Sequence, residues 1–349
     1  YEITTRLVGS EMCIRDSDYN MKFADAFQHE VDFVTLFVCD QEGNFLFQRR
    51  IEKSELDERN SIAFDMEPGT YQVVTWAGLD KGSYAWSDPA ETSQAVERAQ
   101  GVKVRTLRED DTTQPNELHP LWHSLDTFTV TRDMPEADTI SLAKNTNKLR
   151  VVLQNVMGED MDVNNFSFRI VADNGYMDYD NSLLQDPTIH YLPYYTENVE
   201  LGADPTPGAT VGGQYVAVAE MNTMRLMAGR NYRLIIRHHG WEKDVLNVNL
   251  NDYLLLTKME GHRISPQEYL DRQDEYSIIF FLTPKVCPDC PDKPTPPDPS
   301  GPDNPDNPDN PDNPDNPDGP DPEDPTIVGY ACFKIQVKDW VIRINDGIL

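Results

Sequence analysis

The chain has 349 residues, and its 60 acidic and 30 basic side chains give it a formal net charge of −30. This length leaves room for about two domains. The excess of acid excludes nucleic acids and anionic lipid surfaces as partners, because both are bound through clustered Lys and Arg side chains. The sequence contains no run of about 20 apolar residues, so it predicts no membrane-spanning helix.

The first cysteine, Cys13, lies in the stretch RLVGSEMCIRDS near the N-terminus. A lipoprotein signal needs basic residues, then an apolar stretch, then a small residue before its cysteine, whereas Met12 precedes Cys13 and no apolar stretch is present. Residues 7–17 instead match the translation of a transposase-type sequencing adapter. We therefore predict that residues 1–17 are a non-native, adapter-derived tail that packs against nothing. The native N-terminus, with any export signal, is then missing before Asp18.

From Asp18 onward the pattern predicts β-strands. Stretches rich in β-branched and aromatic residues recur at intervals of about ten residues between polar turns, which favours a β-sandwich over a βαβ sheet. The first set of predicted strands covers residues 31–40, 45–51, 61–66, 70–78, 101–107, 125–133 and 139–144. A helix is predicted at 89–101, with Thr92 as its cap and Gly101 at its end.

A second set of predicted strands covers residues 147–156, 165–173, 215–227, 231–240, 242–250 and 276–282. A short helix is predicted at 265–275, because Ser265 suits the N-cap, Pro266 the first helical position and Glu268 the third position of a capping box. We predict two sandwiches that divide near Lys144–Asn145, each with its own core.

The segment GPDNPDNPDNPDNPDNPDGPDPEDP, residues 301–325, contains five Pro-Asp-Asn units and cannot build a core. Proline at every third position favours polyproline II, in which aspartates three residues apart lie about 9 Å from one another. A calcium ion needs its oxygen ligands within about 2.6 Å, so a solvated spacer is favoured over a calcium site.

Residues 327–349 follow this spacer and are too few to fold alone. They carry two apolar faces whose parity differs by one residue: Phe333, Ile335 and Val337, then Trp340, Ile342 and Ile344. This shift predicts a β-bulge near Lys338–Asp339 or a strand that changes sheets.

The Cys287-Pro-Asp-Cys290 motif invites a zinc or redox interpretation, but a structural zinc site takes four ligands and no second such pair is present. A thioredoxin-like motif belongs in a βαβ context, which the pattern lacks. A structural disulfide is favoured, either within the pair or from one of the two to Cys332. Cys39 lies in a predicted strand, and we expect it to be a buried free thiol.

No other pattern supports catalysis or cofactor binding. His238-His239, and likewise His119 and His123, are predicted to be exposed turn residues rather than metal ligands. No nucleophile elbow, zinc-protease or phosphate-loop motif appears, and no carboxylate pair marks a glycosidase. We therefore expect no enzyme, no cofactor and no metal site, unless acids or histidines of distant strands converge in one pocket.

Five stretches, in this order along the chain, resemble the fimbrillin-A-associated anchor family of Bacteroidetes fimbriae: DYNMKFADAFQHEVDFVTLFVCD, EPGTYQVVTWAGL, LAKNTNKLRVVLQ, QEYLDRQDEYSIIFFL and WVIRIND. The resemblance covers nearly all of residues 18–283 and 330–346. Five stretches in the family's order make it specific.

The resemblance implies an all-β fold of two transthyretin-like β-sandwich domains in tandem, residues 18–144 with a truncated first strand and residues 145–349. Residues 284–329 are then a disordered Pro/Asp-rich loop inserted before the final strand, residues 330–346. The family implies a non-enzymatic, lipid-anchored protein of the outer membrane and cell surface. Such a protein attaches a fimbrium, limits its length and has the fimbrial shaft subunits as partners. The family's lipidated cysteine has no counterpart here, because residues 1–17 take its place.

The alternative is a surface-exposed glycan-binding or adhesin lipoprotein. Its binding sites would be exposed aromatic platforms, for which the sequence offers Trp86, Trp122, Trp241 and Tyr194-Tyr195. Glycan arrays without a hit, together with co-purification of fimbrial subunits, would favour the anchor.

Overall fold

The structure is a computed structural model, and it describes residues 8–15, 27–58, 60–87, 101–131, 137–202, 213–241, 243–258, 264–286, 327–337 and 340–343. The described part of residues 1–144 is termed the first half, and the described part of residues 145–349 the second half. The prediction of an all-β fold is confirmed. Among the described residues, no helix is long and apolar enough to span a membrane.

The elements of the first half are β1 (Val8–Arg15), α1 (Phe27–Glu30), β2 (Phe33–Asp40), β3 (Phe45–Glu52), β4 (Ser61–Met66), β5 (Gly69–Ala77), β6 (Tyr84–Trp86), β7 (Val104–Thr106), β8 (Thr113–Gln114), β9 (Trp122–Val130), β10 (Ala137–Ser141) and β11 (Ala143–Lys144). Those of the second half are β12 (Thr146–Asn155), β13 (Phe166–Ala172), β14 (Tyr176–Met177), β15 (Ile189–Tyr191), β16 (Pro193–Leu201), β17 (Gln214–Met224), β18 (Arg233–His238), β19 (Lys243–Asn249), α2 (Leu250–Leu256), α3 (Pro266–Arg272), β20 (Glu275–Val286), β21 (Ile327–Val337) and β22 (Trp340–Arg343). Short 3-10 helices cover Lys53–Glu55 and Val163–Asn165.

The first half contains a five-stranded sheet in the order β11-β9-β5-β2-β3 and a three-stranded sheet in the order β10-β1-β4. The larger sheet is covered on both faces at β2, where residues 33–39 are all buried without alternation. Leu36 shares a core with Ile140 of the smaller sheet, whereas Phe37 belongs to a second, larger core. A strand with two buried faces has a nearly continuous apolar sequence. Residues 33–39 of β2, FVTLFVC, form such a sequence.

The second half contains a six-stranded sheet in the order β16-β17-β12-β20-β21-β22. A five-stranded sheet in the order β19-β18-β13-β15-β8 accompanies it. Along β12 the burial alternates: Leu149, Val151 and Leu153 are buried, whereas Arg150 is exposed. Alternation of this kind marks a sheet with one face on the core and one face toward solvent. The outer face of the six-stranded sheet therefore has side chains available for contacts outside the fold.

Residues 101–121, termed the crossing segment, belong to the first half but pair with the second. β8 runs parallel to β15, with Thr113 opposite His190, and β7 runs antiparallel to β14, with Arg105 opposite Tyr176. Main-chain hydrogen bonds thus join the two halves.

The prediction of two separate cores is wrong. The strands on either side of residue 145, β9 and β12, lie in different sheets. The larger core nevertheless contains Trp76 and Val104 of the first half together with Ile170 and Leu234 of the second. The physical reason is that one apolar face of the β2–β5 pair turns away from the three-stranded sheet. That face needs a cover, and the crossing segment and the second half provide it.

Ion pairs also tie the halves together. Lys144 Nζ lies 2.6 Å from Glu30 Oε2 and 2.9 Å from Asp274 Oδ2. Burial lowers the pKa of Lys144, but the two carboxylates more than offset this, so the pKa is raised and the amine stays charged. In the crossing segment, the buried guanidinium of Arg108 pairs with the buried carboxylate of Asp186 in the second half. Removing one partner of such a buried pair costs about 3–5 kcal/mol.

The prediction that residues 1–17 pack against nothing is wrong for residues 8–15. These residues form β1, the middle strand of the three-stranded sheet, with Cys13 opposite Thr139 of β10 and opposite Ser61 of β4. β4 and β10 each present main-chain N–H and C=O groups that need partners, and any extended segment supplies them. Because this pairing uses main-chain groups, it depends little on the sequence of residues 8–15, and the adapter origin of the segment stays a prediction.

The helix predicted at 265–275 is confirmed as α3, with the Ser265 side chain accepting a hydrogen bond from the Glu268 amide at 3.1 Å. The helix predicted at 89–101 falls almost wholly on residues outside those described. Helix α2 was not predicted, because its sequence LNDYLLL is too short for a helical period to stand out after β19.

The segment after the spacer forms two strands, which corrects the prediction of a single final strand at 330–346. β21 pairs with β20, with Ile335 opposite Phe280, and β22 folds back on β21, with Trp340 opposite Val337. This hairpin accounts for the shift in apolar parity without a strand that changes sheets. The bulge predicted near residues 338–339 falls outside the described residues.

A β-bulge does occur earlier in β21. Phe281 lies opposite Lys334 and Leu282 opposite Cys332, so Phe333 is the extra residue. A bulge interrupts the alternation of side chains, and Phe333, predicted to lie on an apolar face, is 54% exposed.

Candidate functional site

An open groove of about 340 Å³ lies on the outer face of the six-stranded sheet, where β12, β17, β20 and the edge strand β16 come together. The polar and aromatic side chains that line it are Lys148, Arg150, Tyr194, Glu220, Glu275, Tyr276 and Ser277. Glu117 of the crossing segment joins this set through its ion pair with Lys148. The volume lies within the range of small-ligand sites.

A β-bulge in β16 sets the position of Tyr194. Pro193 lies opposite Met221 and Tyr195 opposite Glu220, so Tyr194 is the extra residue. The Tyr194 hydroxyl donates a hydrogen bond to Glu220 Oε2 at 3.2 Å. Burial of the ring and the nearby Glu220 carboxylate raise the pKa of Tyr194 to about 12, so the hydroxyl stays protonated at neutral pH.

Two ion pairs complete the polar lining. Arg150 Nη1 lies 2.8 Å from Glu220 Oε1, and Lys148 Nζ lies 3.1 Å from Glu117 Oε1. Their side chains are between 27% and 53% exposed, and pairs of this kind contribute only about 0–1 kcal/mol to stability. Glu220 uses one oxygen for Arg150 and the other for Tyr194, which fixes the orientation of its carboxylate. The groove thus offers hydrogen-bond donors and acceptors side by side.

The other predicted aromatic platforms are placed differently. Trp122 is buried and cannot contact a ligand. Trp86 is partly buried and packs edge-on against Phe37, with 5.8 Å between ring centroids. Trp241 stacks on His238 at 3.8 Å. Of the predicted platforms, Tyr194 of β16 is the one that lines this groove.

The ends of the Pro/Asp-rich spacer lie side by side on one sheet. Val286, the last residue of β20, is opposite Ile327, the first residue of β21. Near this point Tyr330 packs against Trp241, with 5.2 Å between ring centroids. Trp241 and its stacking partner His238 come from the β18–β19 hairpin, so the aromatic contacts fasten that hairpin to β21.

The prediction that His123 is an exposed turn residue is wrong. His123 lies in β9, is 3% exposed, and packs edge-on against Trp76 at 4.6 Å. Its Nε2 lies 2.7 Å from the Tyr179 carbonyl oxygen, and burial lowers its pKa to about 4. His119 is exposed, with Nδ1 2.8 Å from Ser83 Oγ. Within the described ranges, no group of three or more His, Cys, Asp or Glu side chains is arranged to hold a metal ion.

Cys39 is buried and forms no disulfide among the described residues, in line with the prediction, and Cys332 is likewise buried there without a disulfide. Burial raises the pKa of Cys332 to about 12. Cys287 and Cys290 lie outside the described residues, so the disulfide predicted among these three cysteines stays a prediction.

The ion pairs of the groove were not predicted from the sequence. The signal for Lys148 and Arg150 was present, because they alternate with buried residues of β12 and must face outward. Their acidic partners are distant in sequence: Glu220 lies 70 residues from Arg150. No pattern in a single sequence shows that β12 pairs with β17, and the bulge at Tyr194 leaves no signature either.

The all-β fold combines an outward sheet face with an open groove, and both are surfaces suited to binding. The family model of the fimbrillin-A associated anchor proteins Mfa1 and Mfa2 matches residues 9–346. The chain belongs to this family, which confirms the resemblance identified from the sequence. No curated protein matches the sequence.

Three solved structures show the same fold. A candidate adhesin from Bacteroides thetaiotaomicron is 28% identical, with a TM-score of 0.74 over 98% of this chain and 100% of its own. A candidate polysaccharide-binding protein from the same organism is 29% identical, with a TM-score of 0.72 over 97% and 99% of the two chains. The fimbrial anchor protein Mfa2 from Porphyromonas gingivalis is 14% identical, with a TM-score of 0.63 over 96% and 98%. The family is one of fimbrial anchor proteins, and the three solved structures are of a candidate adhesin, a candidate polysaccharide-binding protein and a fimbrial anchor protein.

Proposed function

We propose that the chain is a non-enzymatic fimbrial anchor subunit that attaches a fimbrium to the outer membrane and limits its length. The observation that carries the proposal is the match of the anchor-protein family over residues 9–346. Shaft subunits are the proposed partners, and a lipid on the native N-terminus is the proposed attachment to the membrane. Residues 18–144 and 145–349 are the proposed sandwich domains, with residues 284–329 as an inserted loop.

The fold is compatible with this role. The crossing segment, the shared core and the Lys144 and Asp186 ion pairs join the two halves through several independent contacts. A protein that holds a filament on a membrane must transmit force between its ends, and a shared core resists separation of the halves better than a flexible linker does.

Deletion of the complete native gene in its source bacterium tests the proposal. We expect fimbriae to appear in the culture medium instead of on the cells, and to be longer than those of the parent strain. Complementation with the complete gene should restore short, attached fimbriae. Attached fimbriae of unchanged length in the deletion strain would contradict the proposal.

A surface glycan-binding adhesin is the second candidate function, favoured by the tyrosine-lined groove. Support comes from the two relatives at 28% and 29% identity, one a candidate adhesin and the other a candidate polysaccharide-binding protein. The two candidates differ in their partners. The anchor co-purifies with fimbrial subunits from detergent-extracted envelopes, whereas the adhesin retains polysaccharide on an array without any fimbrial subunit present.

A further inference from the structure

We propose that the groove beside Tyr194 binds a neutral hexose unit within a polysaccharide chain. The inference rests on the second candidate function, which it deepens by assigning a site and a ligand class. It is independent of the anchor role, since the side chains that would contact the sugar, Tyr194, Glu220 and Arg150, do not belong to the shared core.

The aromatic component of the site is Tyr194. One face of a pyranose ring carries C–H groups, and such a face packs on an aromatic ring whose polar end remains hydrogen-bonded. The bulge of β16 and the hydrogen bond to Glu220 hold Tyr194 at the groove before any ligand arrives. Tyr195, which is 44% exposed, follows directly and extends the aromatic surface along the edge of the sheet.

The polar component is the row of ion pairs. Adjacent hydroxyls of a sugar each donate and accept, so they match a lining in which donors and acceptors alternate. Arg150 and Lys148 supply donors, and Glu220 supplies acceptor oxygens within 2.8 Å of Arg150 Nη1. Hydrogen bonds to charged groups are stronger than those between neutral groups. Because Glu220 is held by two partners, little side-chain freedom is lost on binding.

The charge of the groove selects a neutral ligand. Arg150 and Lys148 are each neutralised by a carboxylate. The carboxylate of an acidic sugar would therefore meet the carboxylates of the groove, while Arg150 and Lys148 are already engaged in ion pairs. The net charge of −30 on the chain repels an acidic polymer as well. The groove is open, which suits an inner unit of a chain better than a free monosaccharide.

The experiment uses the full chain. Arrays of neutral polysaccharides (glucans, mannans, galactans and N-acetylglucosamine polymers) are probed beside uronic-acid polymers. Calorimetry with the strongest neutral ligand then compares the wild type with Tyr194→Ala and Glu220→Gln. The matched control is Tyr215→Ala, which removes an exposed tyrosine of β17 that does not line the groove.

We expect the wild type to bind a neutral polysaccharide. Tyr194→Ala and Glu220→Gln should each weaken this binding by about tenfold or more, whereas Tyr215→Ala should leave the affinity within about twofold of the wild type. Thermal melting of each variant excludes misfolding as the cause. Equal binding by the wild type and Tyr194→Ala would overturn the site while leaving the adhesin function standing. Preference for uronic-acid polymers would overturn the ligand class. No binding to any array member would overturn the adhesin function and the inference with it, and would leave the anchor untouched.

Discussion

The five-stranded sheet of the first half and the six-stranded sheet of the second half differ in how many faces they bury. In the first half, β2 is buried along residues 33–39, and its two faces contribute to two different cores. In the second half, β12 alternates between buried residues such as Val151 and exposed ones such as Arg150. The five-stranded sheet with β2 packs into both cores, whereas the six-stranded sheet with β12 has one face available for contacts outside the fold.

The difference has a functional meaning. A side chain that must fill a core cannot also meet a ligand, so a sheet buried on both faces has little freedom to carry a site. The six-stranded sheet carries its groove on the face that the core does not use. Changes at buried positions and at outward-facing positions should therefore have effects of very different size.

The largest effect is expected from deletion of residues 330–346. The deletion removes most of β21 with the buried Ile335 and Val337, and it turns β20, which normally pairs on both sides, into an exposed edge strand. We expect the second half to lose its cooperative melting transition or to aggregate. Differential scanning calorimetry of the deletion variant measures this.

The matched control replaces residues 291–326 with a short Gly-Ser connection. The ends of the spacer lie side by side at Val286 and Ile327, so a short connection can join them. A shorter loop also lowers the entropic cost of closure. This variant should melt like the full chain. If the tail deletion melted like the full chain too, β21 would not be a core strand.

Two neighbouring phenylalanines of β20 test the two faces of the six-stranded sheet directly. Phe280 is fully buried, whereas Phe281 is partly exposed on the outer face, with Lys334 Nζ 4.0 Å from its ring centroid. We expect Phe280→Ala to cost about 3–5 kcal/mol of the free energy of unfolding. Phe281→Ala should cost about 1 kcal/mol. Urea denaturation measures the free energy of unfolding of both variants. Equal losses would contradict the assignment of Phe280 to the buried face and Phe281 to the outer face.

The pH dependence of stability should report on His123, which lies inside the shared core. Burial lowers the pKa of His123 to about 4 in the folded state, whereas an unfolded His has a pKa of about 6.5. The unfolded state therefore binds a proton first as the pH falls, and stability that is fully present above pH ~6.5 is lost as the pH falls towards 4, by up to about 3 kcal/mol. His123→Gln should flatten this loss between pH 7 and 5. A slope unchanged by the substitution would show that His123 is accessible to water.

The smallest effect is expected from the ion pairs of the groove. Arg150→Met removes the partner of Glu220, but both side chains are partly exposed, so the free energy of unfolding should change by less than about 1 kcal/mol. Chemical denaturation measures the change. A loss of several kcal/mol would show that this pair supports the fold, and it would remove the basis for treating the groove as free to bind.

Much of the strand content was predictable because β-propensity and turn residues are local properties. The same is true of α3, whose cap at Ser265 is a local signal. The shared core was not predictable, because the residues that cover the far side of β2 lie in a crossing segment and in strands far along the chain. The burial of His123 was not predictable for the same reason, because its partners Trp76 and Tyr179 come from distant positions in the sequence.

The candidate site was only partly visible in the sequence. The tyrosine pair of β16 could be named as an aromatic platform, but the position of Tyr194 at a groove depends on a bulge. Bulges shift register by one residue and reverse the facing of side chains, as the exposed Phe333 also shows. Long-range strand pairing and bulges are therefore the two physical features that sequence patterns did not capture here.

The most direct test of the anchor function is immunogold labelling of cells that express the complete native gene. The account predicts label at the base of each fimbria, where the shaft meets the outer membrane. Label along the shafts would instead indicate a shaft subunit, and label spread over the cell surface away from fimbriae would indicate a free adhesin. Either of these distributions would contradict the anchor function.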